Sequence, residues 1–303
     1  MRSILPAAAA AATGVLVGAA IVATRFVIDQ TSPASLALLR YSIGFCCLLP
    51  PVLMSARVRF ERRDLLPIGL LGITQFGILI ALLNYALQFI PSARAALIFA
   101  TFPLLTMLLA AALGHERLTL AKTLGVLLTI AGVGFALGEK AVQGGGAGNG
   151  WVGELAAFAS ALSGAICSVL YRPYLRKYPT LAVSAFAMLA SVGFLAVLAA
   201  GEGFFGALPR FTVIGWMAVL FIGVSSGVGY FLWLWALGHT TATRVTVFLA
   251  LSPVTAAGLG SLLLAERVST MSLTGLACVA LGLWLAHWQS PAGRAVARFH
   301  LGG

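Results

Sequence analysis

Ten stretches of about twenty apolar residues, separated by short polar breaks, follow one another along this chain: 5–27, 34–55, 65–88, 93–113, 120–138, 151–171, 180–200, 212–237, 243–264 and 271–288. A run of that length lets an α-helix cross roughly 30 Å of hydrocarbon at about 1.5 Å per residue. Lipid offers no water to backbone N–H and C=O groups, so each run must satisfy its own hydrogen bonds as a helix. The expected fold class is therefore all-α, a polytopic membrane protein with ten transmembrane helices. Composition agrees: 60% of the 303 residues are hydrophobic, 9% are charged and the mean hydropathy is +1.02, where soluble domains carry about 25% charged residues. No loop is long enough to hold a soluble domain, so whatever the chain does, it does within the membrane.

The N-terminal MRSILPAAAAAATGVLVGAAIVATRF has the basic start and Ala-rich sites of a secretory leader. Its apolar part, Ile4 to Ala23, is longer than a leader core, and the expectation is a first membrane helix. The net charge of +11 would point to nucleic acid in a soluble protein, but here the bases sit in loops and report topology. With the N-terminus on one side, that side receives Arg2, Arg57, Arg59, Arg62, Arg63, Arg117, Lys122, Arg172, Arg176, Lys177, Arg244, Arg294 and Arg298, thirteen bases. The other side receives five, Arg25, Arg94, Lys140, Arg210 and Arg267, with Arg40 inside the second span. The expectation is that both termini are cytoplasmic. Cys46, Cys47, Cys167 and Cys278 fall inside apolar runs with no CxxC or histidine pairing. They are expected to be small buried hydrophobes, and neither a metal nor a cofactor is expected.

Sliding the chain against itself by 150 residues exposes a duplication. From 86 to 137 there are 12 identities in 52 ungapped positions, among them Arg94 with Arg244, Pro103 with Pro253, Glu116-Arg117 with Glu266-Arg267, and Gly125 and Gly132 with Gly275 and Gly282. Self-similarity of this kind marks a repeat architecture. The Gly-rich EKAVQGGGAGNG, 139–150, lies where it would join the halves. Five helices per half is an odd number, so the second half enters the membrane from the opposite side. The expected domains are a first five-helix repeat at 1–138, the linker at 139–150, a second, inverted five-helix repeat at 151–290, and a basic cytoplasmic tail at 291–303. Inverted halves are the signature of secondary transporters, in which one part rocks against the other around a central site.

The segments SPASLALLRYSIG, NYALQFIPSARAALIFATFPLLTMLLAAALGHERLT and WALGHTTATRVTVFLALSPVTAAGLGSLLLAERVS resemble the EamA-type drug/metabolite transporter superfamily in order, spacing and duplication. The resemblance covers nearly the whole chain and extends to the bacterial aromatic and general amino-acid exporters. It implies a ten-helix exporter of small metabolites in a bacterial inner membrane. The expected partners are a small-molecule substrate of the amino-acid class and the lipid bilayer, with no nucleic acid, the chain working as a monomer.

Within that frame the candidate substrate-binding residues are polar or aromatic groups in the spans. The third span offers Asn84, Tyr85 and Gln88, buried amides in lipid needing partners that a wet cavity supplies. Span six carries Ser160, Ser163 and Cys167 in a polar stripe at helical spacing, span nine carries Thr246, and the aromatic candidates are Phe99 and Tyr230. Interhelical bonding, self-bonding of serines and core packing are the competing readings. Pro103 and Pro253, mid-span at matching places, remove a helical donor and are the candidate hinges. Arg40 is expected to snorkel or to bind backbone carbonyls, and Trp233 to sit in the interfacial belt. All eight acids fall near span ends, which leaves no mid-membrane carboxylate relay and favours facilitated diffusion; Glu154 is the candidate if protons are coupled. The alternative substrates are sugar phosphates, nucleotide sugars and quaternary cations. The first two call for paired bases, the last for a deep carboxylate. An intramembrane enzyme would need a catalytic constellation, and His115, His239, His287 and His300 do not supply one.

Overall fold

A computed structural model of the chain describes residues 4–55, 58–114, 124–125, 127–128, 131–132, 150–206, 209–240, 242–265 and 270–287. Every regular element among them is a helix. The long ones are α1 (Ile4–Val27), α2 (Pro33–Met54), α3 (Arg62–Phe89), α4 (Ser92–Ala112), α5 (Gly150–Leu170), α6 (Thr180–Gly201), α7 (Val213–His239), α8 (Arg244–Leu264) and α9 (Thr270–His287). The first eight are long and apolar enough to cross a membrane. In α9 the apolar stretch spans Leu273–Gly282. Most of the helix expected at 120–138 lies outside the described residues, as do nearly all of the linker, the tail 291–303, and the pairs Glu116-Arg117 and Glu266-Arg267.

Proline and polar caps set the helix starts. Pro33 occupies the first turn of α2, where its missing N–H is no loss, and Pro91 and Pro179 immediately precede α4 and α6. Thr212 caps α7 by accepting from the Gly215 N–H at 3.0 Å. Large apolar side chains cover the outside: Leu53, Met54, Val213 and Leu262 are each at least 75% exposed. Water would penalise such a surface heavily; lipid does not.

α1 is a central element of the bundle. It packs against α7 and α8, while α5 packs against α3 and α4; α2 lies on α7 as α6 lies on α3. The pairs α2 with α6 and α4 with α8 also touch. Exchanging α1 with α5, α2 with α6, α3 with α7 and α4 with α8 leaves this set of neighbours unchanged. Gly14 and Gly18 bring α1 so close to α8 that a methyl group on either would collide with the backbone carbonyls of Phe248 and Ser252. Of the cysteines, only Cys167 is buried and Cys278 is half-buried. Cys46 and Cys47 are exposed, which corrects the expectation of burial: their positions on α2 fall on its outward side.

Polar ties hold the bundle at both ends. At one end Lys177 Nζ contacts Glu61 at 2.5 Å and Asp64 at 2.6 Å, Tyr178 donates its hydroxyl to Asp64 at 2.6 Å, and Arg63 pairs with Glu61 at 2.7 Å. At the other end of α2, whose 22 residues span about 33 Å, Glu202 accepts from the N–H groups of Ala34 at 3.0 Å and Ser35 at 2.8 Å and from the Ser35 hydroxyl at 2.8 Å. The carboxylate thereby satisfies orphan donors of α2 and sits at the positive end of its dipole.

Candidate functional site

Three helices depart from regular geometry within their spans, and all three departures border one cavity. In α3 the helix loosens into a π-type turn at Ile73–Ile78, a feature frequent at functional sites. In α4 the helix stops at Phe99 and restarts at Phe102. Pro103 has no N–H to give the Phe99 carbonyl; Ala100 and Thr101 turn tightly, with Thr101 bonding back to Ile98 through both its N–H at 3.0 Å and its hydroxyl at 2.8 Å. In α8 a 3-10 segment, Val247–Ala250, precedes the helix that contains Pro253. Phe99 and Leu249, each four residues before its proline and 150 residues apart, both line the cavity.

The cavity measures about 90 Å³, several times the 10–15 Å³ or so that one water needs. Its walls are mostly apolar and aromatic. Phe76 stands edge-on to Tyr41 with ring centroids 4.8 Å apart and to Tyr230 at 4.0 Å; Phe102 lies 5.5 Å from Phe99 and 5.9 Å from Trp233. Edge-to-face and tilted contacts at these separations hold the rings as two clusters on the cavity wall, Tyr41–Phe76–Tyr230 and Phe99–Phe102–Trp233. The polar groups facing it are few. Thr13 and Ser225 use their hydroxyls on backbone carbonyls, Thr13 on Ala9 at 2.9 Å and Gly229 at 3.1 Å, Ser225 on Ile222 at 3.1 Å. Gln75 Oε1 is buried without a hydrogen-bond partner. The Tyr230 hydroxyl approaches that of Tyr171 without reaching hydrogen-bond geometry.

Arg40 supplies the charge. It is 8% exposed, lines the cavity, donates through Nε to Ser226 Oγ at 2.5 Å and lies 5.5 Å from the centre of the Tyr41 ring. It neither snorkels nor binds backbone carbonyls as expected, because Ser226, from the helix that lies against α2, offers a hydroxyl at its own depth. Trp233 corrects another expectation: it is 4% exposed and part of the cavity wall, held there by Phe102 rather than by a lipid interface.

Of the residues singled out from sequence, Phe99 and Tyr230 line the cavity. The others lie elsewhere. Asn84 is buried and donates to the Pro33 carbonyl at 3.0 Å, tying α3 to the start of α2. Tyr85, 39% exposed, packs on Phe89 on the outer surface, and Gln88 is exposed. Ser160 donates to the Leu79 carbonyl at 2.8 Å, an interhelical bond, while Ser163 bonds its own helix at Ala159. Cys167 lies 3.6 Å from the Leu71 carbonyl, and Thr246 is fully buried outside the cavity lining. Arg40, Gln75, Phe76 and Trp233 complete the site. The expectations from sequence omit Gln75 and place Arg40 elsewhere; the signal that could have found them is a charge and an amide within apolar spans, but nothing local distinguishes an inward from an outward direction. Among the described residues no group of metal-ligating side chains is gathered.

Known proteins share this architecture. A solved chain titled "Crystal structure of protein" superposes with a TM-score of 0.71 over 93% of this chain and 97% of its own, at 24% identity, which is a likeness of fold. An "Uncharacterized transporter" of Archaeoglobus fulgidus is 26% identical over 270 residues, 88% of this chain and 93% of the relative. A "Probable terminal-alkyne amino-acid exporter" of Streptantibioticus cattleyicolor is 29% identical over 269 residues, 87% and 86% of the two chains. The model of the EamA-like transporter family matches twice, over residues 5–138 and 151–288. With both matches spanning nearly all of a helical bundle that encloses a cavity, the chain belongs to the EamA-like transporter family.

Proposed function

We propose that this protein is an inner-membrane permease of a bacterium that exports amino acids, aromatic ones among them, and related small metabolites through the central cavity by alternating access. The observation that carries the reading is the cavity: an aromatic-walled space of about 90 Å³ inside the bundle, bordered by the helix breaks ahead of Pro103 and Pro253. Its apolar and aromatic walls, with the few polar groups Arg40, Gln75 and Thr13 among them, suit a small amphipathic solute. The name of the Streptantibioticus cattleyicolor relative points to the same substrate class.

Ten helices in two inverted repeats, 1–138 and 151–290, are the architecture this mechanism uses. The exchangeable set of helix neighbours and the two family matches support it. At Gly132 a methyl group would meet the Gly275 carbonyl of α9, so Gly132 itself lies close against that helix. Residues assigned from sequence to one membrane face also meet there: Lys177 with Glu61 and Asp64, Glu202 with the start of α2, Arg94 with Glu154 at 3.6 Å. The bias in bases makes the Lys177 face cytoplasmic.

Rocking of one repeat against the other about the breaks in α4 and α8 opens the cavity to one face at a time. Among the described residues no carboxylate lines the cavity, and Glu154 is engaged with Arg94 at the end of the bundle; both support facilitated diffusion. The test is counterflow in proteoliposomes. Labelled aromatic and aliphatic amino acids should enter vesicles preloaded with unlabelled substrate without a proton gradient. Absence of counterflow for every amino acid would end the substrate assignment, and flux only with a proton gradient would end the relay-free mechanism.

A further inference from the structure

We infer that Arg40 anchors the carboxylate of the ligand, and that the cavity selects monocarboxylates with an apolar or aromatic body, for which an ammonium group is optional. The inference rests on the proposed transport role of the cavity and narrows its substrate class.

Arg40 stands seven residues into α2, about 10 Å from the start of that helix. A guanidinium at that depth is costly unless something pairs with it. Among the described residues its partners are a hydroxyl and a ring: Nε donates to Ser226 Oγ, and Tyr41 lies beside it. Ser226 spends its own proton on the Ile222 carbonyl at 2.5 Å, so its oxygen is fixed as an acceptor and Nε is held toward it. Of the five guanidinium N–H donors, four remain. Among the described residues no carboxylate lies within ion-pair distance of Arg40. The acids Glu61 and Asp64 are bound to Lys177 at one end of the bundle, and Glu202 to the start of α2 at the other. The counter-ion therefore comes from the ligand. A guanidinium fork whose Nε edge is tethered presents its Nη groups as a paired donor, which matches two carboxylate oxygens.

The rest of the wall limits what else the ligand carries. Leu79, Leu83, Phe99, Phe102 and Trp233 accept an apolar body. No second base lines the cavity among the described residues, so a doubly charged phosphate is left half neutralised. No acid lines it either. An ammonium finds the orphan Oε1 of Gln75 as a hydrogen-bond acceptor but no opposite charge. The carboxylate is thus the obligatory group, and an amine lacking it would meet Arg40 as a like charge.

Three ligands with one phenylethyl body separate these groups: 3-phenylpropionate has only the carboxylate, L-phenylalanine has both groups, and 2-phenylethylamine has only the ammonium. Binding to the purified protein is read by quenching of Trp233 fluorescence, with a W233F control, and by calorimetry. The two acids should bind within about threefold of each other and the amine about tenfold or more weaker, the loss of one good charge-assisted contact. R40Q, which keeps a donor for Ser226, should bring the acids down to the level of the amine. R40K, which keeps the charge and loses the fork, should fall between. Equal binding of the amine and the acids, undiminished binding of the acids by R40Q, or no binding of any of the three overturns the inference. If R40Q does not fold, the wild-type series and R40K decide. Binding of the acids that depends on Arg40, without flux in proteoliposomes, supports the anchor and overturns the transport reading. Flux of the amine equal to that of the acids overturns the anchor and leaves transport standing.

Discussion

Glu202→Ala removes the cap on α2 and the tie between the end of α6 and the start of α2 in one step. Three hydrogen bonds are lost, from the N–H of Ala34, the N–H of Ser35 and the Ser35 hydroxyl. Loss of an N-cap costs about 0.5–2 kcal/mol and loss of a negative charge at a helix N-terminus about 0.3–1 kcal/mol. Glu202 is exposed, so screening by solvent puts the sum in the lower part of those ranges, about 1–2 kcal/mol. That is a factor of about 5–30 in a local opening equilibrium. The Leu36 N–H is a clean reporter, because its own acceptor, the Ser32 carbonyl at 3.0 Å, is untouched by the substitution. Hydrogen exchange at Leu36 should accelerate by about that factor while amides in the middle of α2 and in α5 keep wild-type rates. Glu202→Gln, which retains one acceptor oxygen, should lie between. Unchanged exchange at Leu36 in E202A would refute the capping argument, and acceleration spread evenly over all helices would show that the bonds act on the whole fold instead.

Two further outcomes follow from the other end of the bundle and from the helix breaks. The Lys177 ammonium bonded to Glu61 holds that carboxyl below its ordinary value, with partial burial opposing and Arg63 assisting. A depressed value means that the stabilisation is full above the unfolded carboxylate range, about pH 4.3, and is lost as pH falls through the folded value. The thermal midpoint of the solubilised protein should therefore drop on acidification below about pH 4, and less steeply in Lys177→Met; parallel profiles for the two proteins would contradict the assignment. Pro103→Ala and Pro253→Ala restore N–H donors to the carbonyls of Phe99 and Leu249 and favour continuous helices. Both should slow counterflow several-fold while ligand affinity stays close to wild type, and wild-type flux in either variant would remove that proline from the hinge.

How much of this was legible beforehand differs between levels of structure. Membrane spans are a local property: twenty consecutive apolar residues have one way to satisfy their backbone in lipid, so α1 to α8 could be placed from the chain alone. The 150-residue duplication was legible for a similar reason, since Pro103 with Pro253 and Gly132 with Gly282 are matches of residue type that change backbone behaviour. The aromatic candidates Phe99 and Tyr230 came from the same reading, and both face the cavity. Asn84, Ser160 and Ser163 show where it stopped. Each is polar and within a span, and each donates to a carbonyl, one at the head of α2, one across to α3, one in its own helix. A one-dimensional pattern counts a polar group without knowing which acceptor lies within reach.

Composition and periodicity determined that this chain is a bundle of membrane helices, because hydropathy and proline act over the few residues around them. Only the tertiary structure decided which side chains line the inside of the bundle. Ser226 lies 186 residues from Arg40, and Trp233 meets Phe102 from another helix. The direction a side chain takes on an all-apolar helix is set by the helices packed around it. The spacing of apolar residues does not separate inside from outside when lipid is as apolar as the core, and so the charge and the ring that build the site looked, in sequence, like residues bound for the membrane surface.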